Sequence, residues 1–372
     1  MTTATNTPPR ILIPISSFGN SGGYRVLSEL ANHWTDLGAR VDFLVDQRTT
    51  APYFPTRAGI RYFDTRGSEV SESERKGSFS ASNNAWSIYA GMTRAIASIG
   101  RRYDVIIANQ SLTALPVFLG SRGQATKRIY YVQAYEPEYY ALEKGVKSVI
   151  LRLLSWLSYK LPMLQIANAP IYMRYKGIRA AEWMPPGVDG HIFYQRREIP
   201  RFDHRGALIL GVIGRREPAK GIIYALQAFE ELAKRHENMR LKVAFGNLPE
   251  GWSHPRCEVV HPKGDRELAD FYRSVDVIVA PGTVQLGACH YPVLEGMSCG
   301  TPVITTGYLP ANDQNAWLVP VRDSHAIVDK VEELLQASHS TLAAKIETAC
   351  KDVSHFHWSV VAPRFLSLMI SG

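Results

Sequence analysis

Short apolar runs alternate with amphipathic stretches along nearly the whole chain, and this alternation narrows the fold more than any other feature. Arg10–Ile15, Arg40–Val45, Val105–Ala108, Arg128–Val132 and Met163–Ala167 read as strands, with helices over Gly22–Leu37, 84–99 and 147–160. A second series opens at Leu208–Ile213. It runs through a helix over Gly221–Lys234, a strand at Leu241–Phe245 and a helix over Asp265–Arg273. A strand at Val277–Ala280, a helix near Pro292–Cys299 and a strand at Pro302–Thr305 follow, and helices from Ser324 to Ala337 and from Ser340 onward close the chain. Strands and helices at this spacing imply parallel sheets covered on both faces. The fold class is α/β, with two Rossmann-like β/α/β domains facing a central cleft.

The domain boundaries follow from local composition. Residues 1–187 form the first domain. The turn Pro185-Pro186-Gly187-Val188-Asp189 opens an Arg-rich linker over 188–205, the second domain covers 206–354, and 355–372 form a closing segment. The pattern weakens between Gly59 and Ser82, and Gly67–Ser82, rich in Ser, Glu and Gly, reads as a mobile surface loop. MTTATNTPPR lacks the apolar core of a signal peptide and reads as a frayed tail.

At 372 residues, 45% hydrophobic and 20% charged, the chain is long enough for two cores and is not disordered in composition. Its longest apolar run, Ala207–Ile213, is far short of the ~20 residues a spanning helix needs. The four cysteines show no CxxC pairing and no metal spacing, which suits a reducing compartment and a cytoplasmic location. The net charge of +8 is uneven: residues 1–186 hold 22 Lys and Arg against 13 Asp and Glu, and residues 187–372 hold 20 against 21. The basic half therefore faces something anionic. No helix-turn-helix, RRM or zinc-finger signature supports nucleic acid, so a membrane surface or a diphosphate-bearing partner fits better.

Three strand-to-helix junctions carry chemistry. Gly214-Arg215-Arg216-Glu217-Pro218-Ala219-Lys220-Gly221 follows a strand at the end where α/β sheets bind ligands. Arg215, a fork donor, and Lys220, a point charge, suit a diphosphate and the charge that grows on it as a leaving group. A solvated basic loop that only caps the helix is the plain alternative. Further on, Val277–Ala280 runs into a loop, a helix opens near Pro292 with Glu295 in its first turn, and Cys299-Gly300-Thr301-Pro302 ends it. A carboxylate at a helix opening suits sugar hydroxyls, not phosphate, although it also complements the helix dipole unaided. Ser17-Phe18-Gly19-Asn20-Ser21-Gly22-Gly23 is not a GxGxxG fingerprint and argues against a nicotinamide cofactor. Its paired Gly22 and Gly23 let backbone approach a phosphate or sugar, or merely make a tight turn.

These segments resemble family 4 glycosyltransferases. The family pattern, roughly Pro-Ser…Glu-Gly-Phe-Gly-Leu-Pro-x-x-Glu-Ala-Met-Ala-x-Gly-x-Pro-Val, is matched by Pro292, Glu295, Met297, Gly300, Pro302 and Val303. Its Gly-Arg-x-x-x-x-Lys-Gly is matched at Gly214, Arg215, Lys220 and Gly221, and its paired glycines at Gly22 and Gly23. The resemblance implies a GT-B fold and a closing helix, around His355–Ala362, that returns to the first domain. It puts Gly214, His290, Tyr291, Pro292 and Glu295 on the donor side, with Glu295 holding the ribose hydroxyls, and the loop at Lys263 by the base. Tyr130–Pro137 ends a strand, and many members have histidine where Gln133 stands, which places Gln133, Tyr135 and Glu136 on the acceptor and sugar side. A buried polar cluster is the alternative there. The Gln-x-Tyr-Glu-Pro form is similar to some rhamnosyltransferase-like members.

One position departs from the family. Its first glutamate, near the hydroxyls of the transferred sugar, falls on Gly287, and the Gly-Phe-Gly-Leu segment is Ala288-Cys289-His290-Tyr291. Either His290 takes over, or the sugar lacks that hydroxyl, or activity is lost. The resemblance implies a retaining, metal-independent transfer from a nucleoside diphosphate sugar to a glycan or lipid-linked acceptor in cell-surface polysaccharide or glycoconjugate synthesis, with no cofactor. A nucleotide-sugar epimerase and a non-catalytic nucleotide-sugar or glycan-binding protein are the rivals. Finally, Lys144–Leu161 carries an apolar stripe through Val146, Val149, Ile150, Leu153, Leu154, Trp156, Leu157 and Leu161. A core-facing helix is the commoner use of such a stripe; the other is peripheral contact with an anionic membrane, which the basic half favours.

Overall fold

The fold was obtained as a computed structural model that describes residues 7–75, 85–195, 198 and 207–371. The chain divides into two compact units, one of Met1–Pro186 with Trp358–Gly372, the other of Gly187–His357.

In the first unit the strands are β1 (Arg10–Ile15), β2 (Arg40–Asp46), β3 (Gly59–Phe63), β4 (Glu69–Val70), β5 (Val105–Ala108), β6 (Lys127–Val132), β7 (Leu164–Ala167) and β8 (Glu182–Trp183). They form one sheet in the order β4-β3-β2-β1-β5-β6-β7-β8, parallel throughout except where β4 turns back on β3. Val105, Ile106, Ile107 and Ala108 are all buried, as expected of a central strand covered on both faces. The helices are α1 (Gly22–Asp36), α2 (Ala85–Ile99), α3 (Ser111–Gly120), α4 (Glu136–Tyr140) and α5 (Val146–Ser158).

The second unit holds β9 (Leu208–Ile213), β10 (Met239–Ala244), β11 (Cys257–Val260), β12 (Val277–Ala280), β13 (Val303–Thr305) and β14 (Trp317–Leu318), all parallel, in the order β11-β10-β9-β12-β13-β14. Its helices are α6 (Ile222–Arg235), α7 (Gly264–Ser274), α8 (Tyr291–Ser298), α9 (Ser324–Gln336) and α10 (His339–Ser354). Helix α6 shows why these segments fold as they do. Ala225, Leu226, Ala228, Phe229, Leu232 and Ala233 recur at helical spacing and bury against the sheet, while Lys234 and Arg235 offset the dipole in the last turn. Asp323 and Ser338 cap α9 and α10 by accepting from the Ala326 and Thr341 N–H groups.

The last helix, α11 (Trp358–Ile370), belongs to the first unit. Trp34 of α1 is buried; its indole N–H donates to the Ala362 carbonyl at 3.1 Å, and its ring meets Phe365 edge-on at 5.3 Å.

Several expectations need correction. Val188–Gln195, read as the start of a linker, is packed structure of the second unit. Val188 bridges to His357, and the buried Phe193 accepts the Ser298 hydroxyl at its carbonyl. The rest of that linker reading, at 196–197 and 199–205, lies outside the described residues. The loop expected over Gly67–Ser82 contains β4, whose Val70 and Glu69 pair with Tyr62 and Phe63; residues 76–82 lie outside the described residues. Of the N-terminal tail, residues 1–6 lie outside them too, and Arg10 already sits in β1 with its N–H on Asp104 at 2.7 Å.

Most of the apolar stripe of α5 does not face the core. Ser148, Ser155 and Ser158 are buried, Val146, Val149, Ile150, Leu153 and Leu157 are exposed, and Leu154, Trp156 and Leu161 are half-buried.

Trp34→Ala is expected to cost about 3–5 kcal/mol in urea unfolding and to speed amide exchange across 358–370, because it removes the contact that seats α11. Unchanged stability would refute that role.

Candidate functional site

In both sheets the strand order reverses once, between β1 and β5 in the first unit and between β9 and β12 in the second. Loops leaving two such strands part in opposite directions, and the crevice between them is where open α/β sheets take ligands.

In the second unit the loop after β9 is in direct backbone contact with the loops after β10 and β12. A Cβ on Gly214 would stand 1.6 Å from the carbonyl oxygen of Gly246, after β10, and one on Gly221, whose φ is +70°, would stand 2.0 Å from that of Pro281, after β12. Only glycine fits either place. The Thr283 N–H donates to the Ala219 carbonyl at 2.9 Å and closes the pair of loops after β9 and β12. Ala219 lies in a 3-10 turn over Pro218–Lys220 that delivers Lys220 into α6.

Three expected residues meet here. Lys220 is partly buried, and burial lowers its ammonium pKa; Arg215 lowers it further and Glu217 opposes. Burial holds the His290 imidazole well below its ordinary 6.5, and the nearby Lys220 and Arg215 add to the effect. The ring is therefore neutral at pH 7. It stacks at a tilt on Tyr308, centroids 4.7 Å apart, and its Nδ1 is shut off from solvent with no hydrogen-bond partner among the described residues. No carboxylate of the described residues forms an ion pair with Arg215 or Lys220. Two cations and a neutral imidazole, with no carboxylate of the described residues in ion-pair contact with either cation, make a site suited to an anion with several oxygens.

The remaining donor-side residues sit around this group. Tyr291 and Pro292 open α8 directly after His290, which is its N-cap. Glu295, expected in the first turn of this helix, lies in the second because α8 starts at Tyr291; it is only 2% exposed, and one carboxylate oxygen accepts the Tyr272 hydroxyl at 2.7 Å. Lys263 is exposed at the start of α7, its backbone N–H on the Glu267 carboxylate at 2.8 Å; β11, which it follows, is the far edge strand. Gly287 has φ +87°, a region L side chains rarely adopt, and its N–H donates to the Gly307 carbonyl at 2.9 Å.

In the first unit Gly22 and Gly23 begin α1, and Gln133 lies against Gly23: a Cβ there would stand 3.4 Å from the Gln133 Oε1. Tyr135 stacks on Tyr175 at 4.2 Å and Tyr159 at 5.7 Å. Glu136 accepts the Ser111 N–H at 2.8 Å and the Ser111 hydroxyl, so it ties down the start of α3. Burial raises its carboxyl pKa against the pull of those bonds.

Two contributors escaped sequence reasoning. Tyr272 orients Glu295, and Tyr308 supports His290 while donating to the Val284 carbonyl at 2.7 Å. Tyr272 comes from the last turn of α7 and Tyr308 from the loop after β13, so no local spacing marks either. Among the described residues no group of three or more His, Cys, Asp or Glu is placed to hold a metal ion.

Residues 207–337 match the family model described as glycosyl transferases group 1. The matched stretch lies within the second unit, and the fold of the chain is that of the GT-B glycosyltransferases. The D-inositol 3-phosphate glycosyltransferase of Corynebacterium urealyticum is 26% identical over 211 residues, 49% of each chain. The enzyme named D-inositol 3-phosphate glycosyltransferase 2 of Catenulispora acidiphila is 28% identical over 179 residues, 42% of this chain and 41% of its own. The chain therefore spans about half the length of the curated relatives it matches. Among solved structures, Anabaena HepE in complex with UDP and glucose superposes with TM-score 0.73 at 15% identity, covering 97% of this chain and 99% of its own. Sucrose-phosphate synthase from Thermosynechococcus elongatus gives 0.72 at 16%, covering 97% and 98%.

The depressed His290 pKa has a measurable consequence. The unfolded chain binds this proton more readily than the folded one, so the contribution to stability is present above pH ~6.5 and lost as pH falls through it. His290→Asn is expected to flatten that part of the urea-unfolding profile; an unchanged slope would contradict the placement of His290.

Proposed function

We propose that this chain is a glycosyltransferase that moves a sugar from a nucleoside diphosphate sugar to a hydroxyl of a glycan or lipid-linked acceptor. The observation that carries the reading is the convergence of Arg215, Lys220 and His290 at the β9/β12 reversal with no carboxylate bonded to either cation among the described residues. In the proposed reaction the bond from the anomeric carbon to the diphosphate oxygen breaks, and its electron pair leaves with the diphosphate. Arg215 and Lys220 disperse the charge that develops there, with no metal required. The acceptor oxygen bonds the same face of the sugar, so configuration is retained, and its proton passes to the departing phosphate. Glu295, held by Tyr272, is the ribose partner, and Gln133 of the first unit serves the acceptor side. A cytoplasmic role in cell-surface polysaccharide or glycoconjugate synthesis completes the proposal, with a rhamnosyl-type deoxy-sugar as the donor sugar that the Gly287 departure favours.

A second reading has its own observation. Gly287 supplies no carboxylate to the sugar, and its φ of +87° would strain one. A non-catalytic relative that binds nucleotide sugars would look like this. An epimerase is the third reading, since a UDP-N-acetylglucosamine 2-epimerase-like protein from Listeria monocytogenes shares the fold, with TM-score 0.58 at 13% identity.

The three readings part in one assay. UDP-glucose, which an Anabaena HepE structure holds, heads a panel of nucleotide sugars; acceptors include D-inositol 3-phosphate, for which the relatives are named. Acceptor-dependent release of nucleoside diphosphate that disappears in Lys220→Glu is the expected result. Epimerised donor without acceptor, or binding without turnover, would overturn it, and so would full turnover by Lys220→Glu.

A further inference from the structure

Helix α5 is built inside out for a helix in water. The residues of α5 that are buried are serines, all satisfied, with Leu151, Leu154 and Trp156 half-buried beside them: the Ser155 hydroxyl lies 2.9 Å from that of Ser111, Ser158 donates to the Ser155 carbonyl at 2.7 Å, and Ser148 donates to the Tyr140 carbonyl. Its outward face is apolar. Val146, Val149, Ile150, Leu153 and Leu157 are spaced so that one stripe runs the length of the helix, and Val146, Val149 and Leu153 are 77%, 62% and 55% exposed. Leu142, just before the helix, is 61% exposed. A helix that only closed the first unit against water would turn its leucines inward and its serines outward.

The charges around the stripe say what covers it. At ~100° per residue Lys147 and Arg152 fall on opposite sides of the stripe, and both are exposed. Lys144 precedes the helix, and Lys160 follows it with its ammonium 3.4 Å over the Trp156 ring. No acidic residue occurs between Val146 and Ser158. An apolar stripe flanked on both sides by cations complements an anionic bilayer surface, where the side chains enter the acyl boundary and the ammonium and guanidinium groups meet the headgroups. A second copy of the chain fits less well, because a two-fold pairing of this face would set like charges against each other. The 13-residue helix would lie in the surface, and no helix of the described residues is long and apolar enough to cross a membrane.

We propose that α5 and the turn before it form a docking surface for anionic lipid, so that the first unit sits on a negatively charged membrane. The inference rests on the first unit alone and stands apart from the transferase reading.

Vesicle co-sedimentation tests it, using phosphatidylcholine alone and phosphatidylcholine with phosphatidylglycerol. The chain is expected to sediment with the anionic vesicles, weakly or not at all with the neutral ones, and less as salt rises. Val149→Ser with Leu153→Ser is expected to weaken that binding at least ~10-fold. Lys147→Ser with Arg152→Ser is expected to weaken it by roughly 10–30-fold. All four side chains are exposed, so both double variants keep the thermal unfolding midpoint of the parent. The proposal is overturned if the chain ignores anionic vesicles, or if neither pair changes binding. It is also overturned if light scattering finds a dimer in solution that the apolar pair dissociates.

Discussion

Lys220 and Arg215 stand near each other with no carboxylate bonded to either among the described residues, an arrangement that raises the free energy of the empty protein and lowers it when an anion arrives. The second unit is arranged to hold them so. Glycines at 214 and 221 admit backbone contacts that any side chain would block, and those contacts hold the loop after β9 against the loops after β10 and β12. The backbone at Lys220 is therefore fixed beside the strand end that carries Arg215. His290 meets the same field and stays neutral, a donor or acceptor that adds no third charge. The donor site, in this view, follows from one reversal in strand order and two close backbone approaches.

The sequence carried most of this architecture, and the physical reasons for what it hid are specific. β1 and β9 were legible to the residue, because apolar runs buried on both faces are bounded by polar chain. β11 was not, since at the sheet edge Glu258 and Val259 are both exposed and blur its period. α3 escaped because Pro116 lies inside a nearly all-apolar segment that has no polar face to show a helical repeat. Within the site, Arg215 and Lys220 were legible from their spacing after a strand. Tyr272 and Tyr308 were not, because each reaches its partner from an element distant in sequence, α7 and the loop after β13.

The same limit explains α5. Periodicity shows that a helix has an apolar side and says nothing about which side meets the sheet. Here the buried Ser111, Ser155 and Ser158 settle the orientation, and the apolar side is left outward with Lys147 and Arg152 beside it. Glu136, expected beside the acceptor, proves to anchor Ser111 at the start of α3, so its carboxyl serves the scaffold whatever else it contacts.

The most direct test of the central claim is thermal stabilisation by UDP, GDP, dTDP and ADP, each with and without EDTA, on the parent and on Arg215→Ala. One nucleotide is expected to raise the unfolding midpoint, unaffected by EDTA, and Arg215→Ala is expected to lose most of that rise. No shift with any of the four, or an equal shift in the variant, would contradict the assignment of Arg215, Lys220 and His290 to a diphosphate.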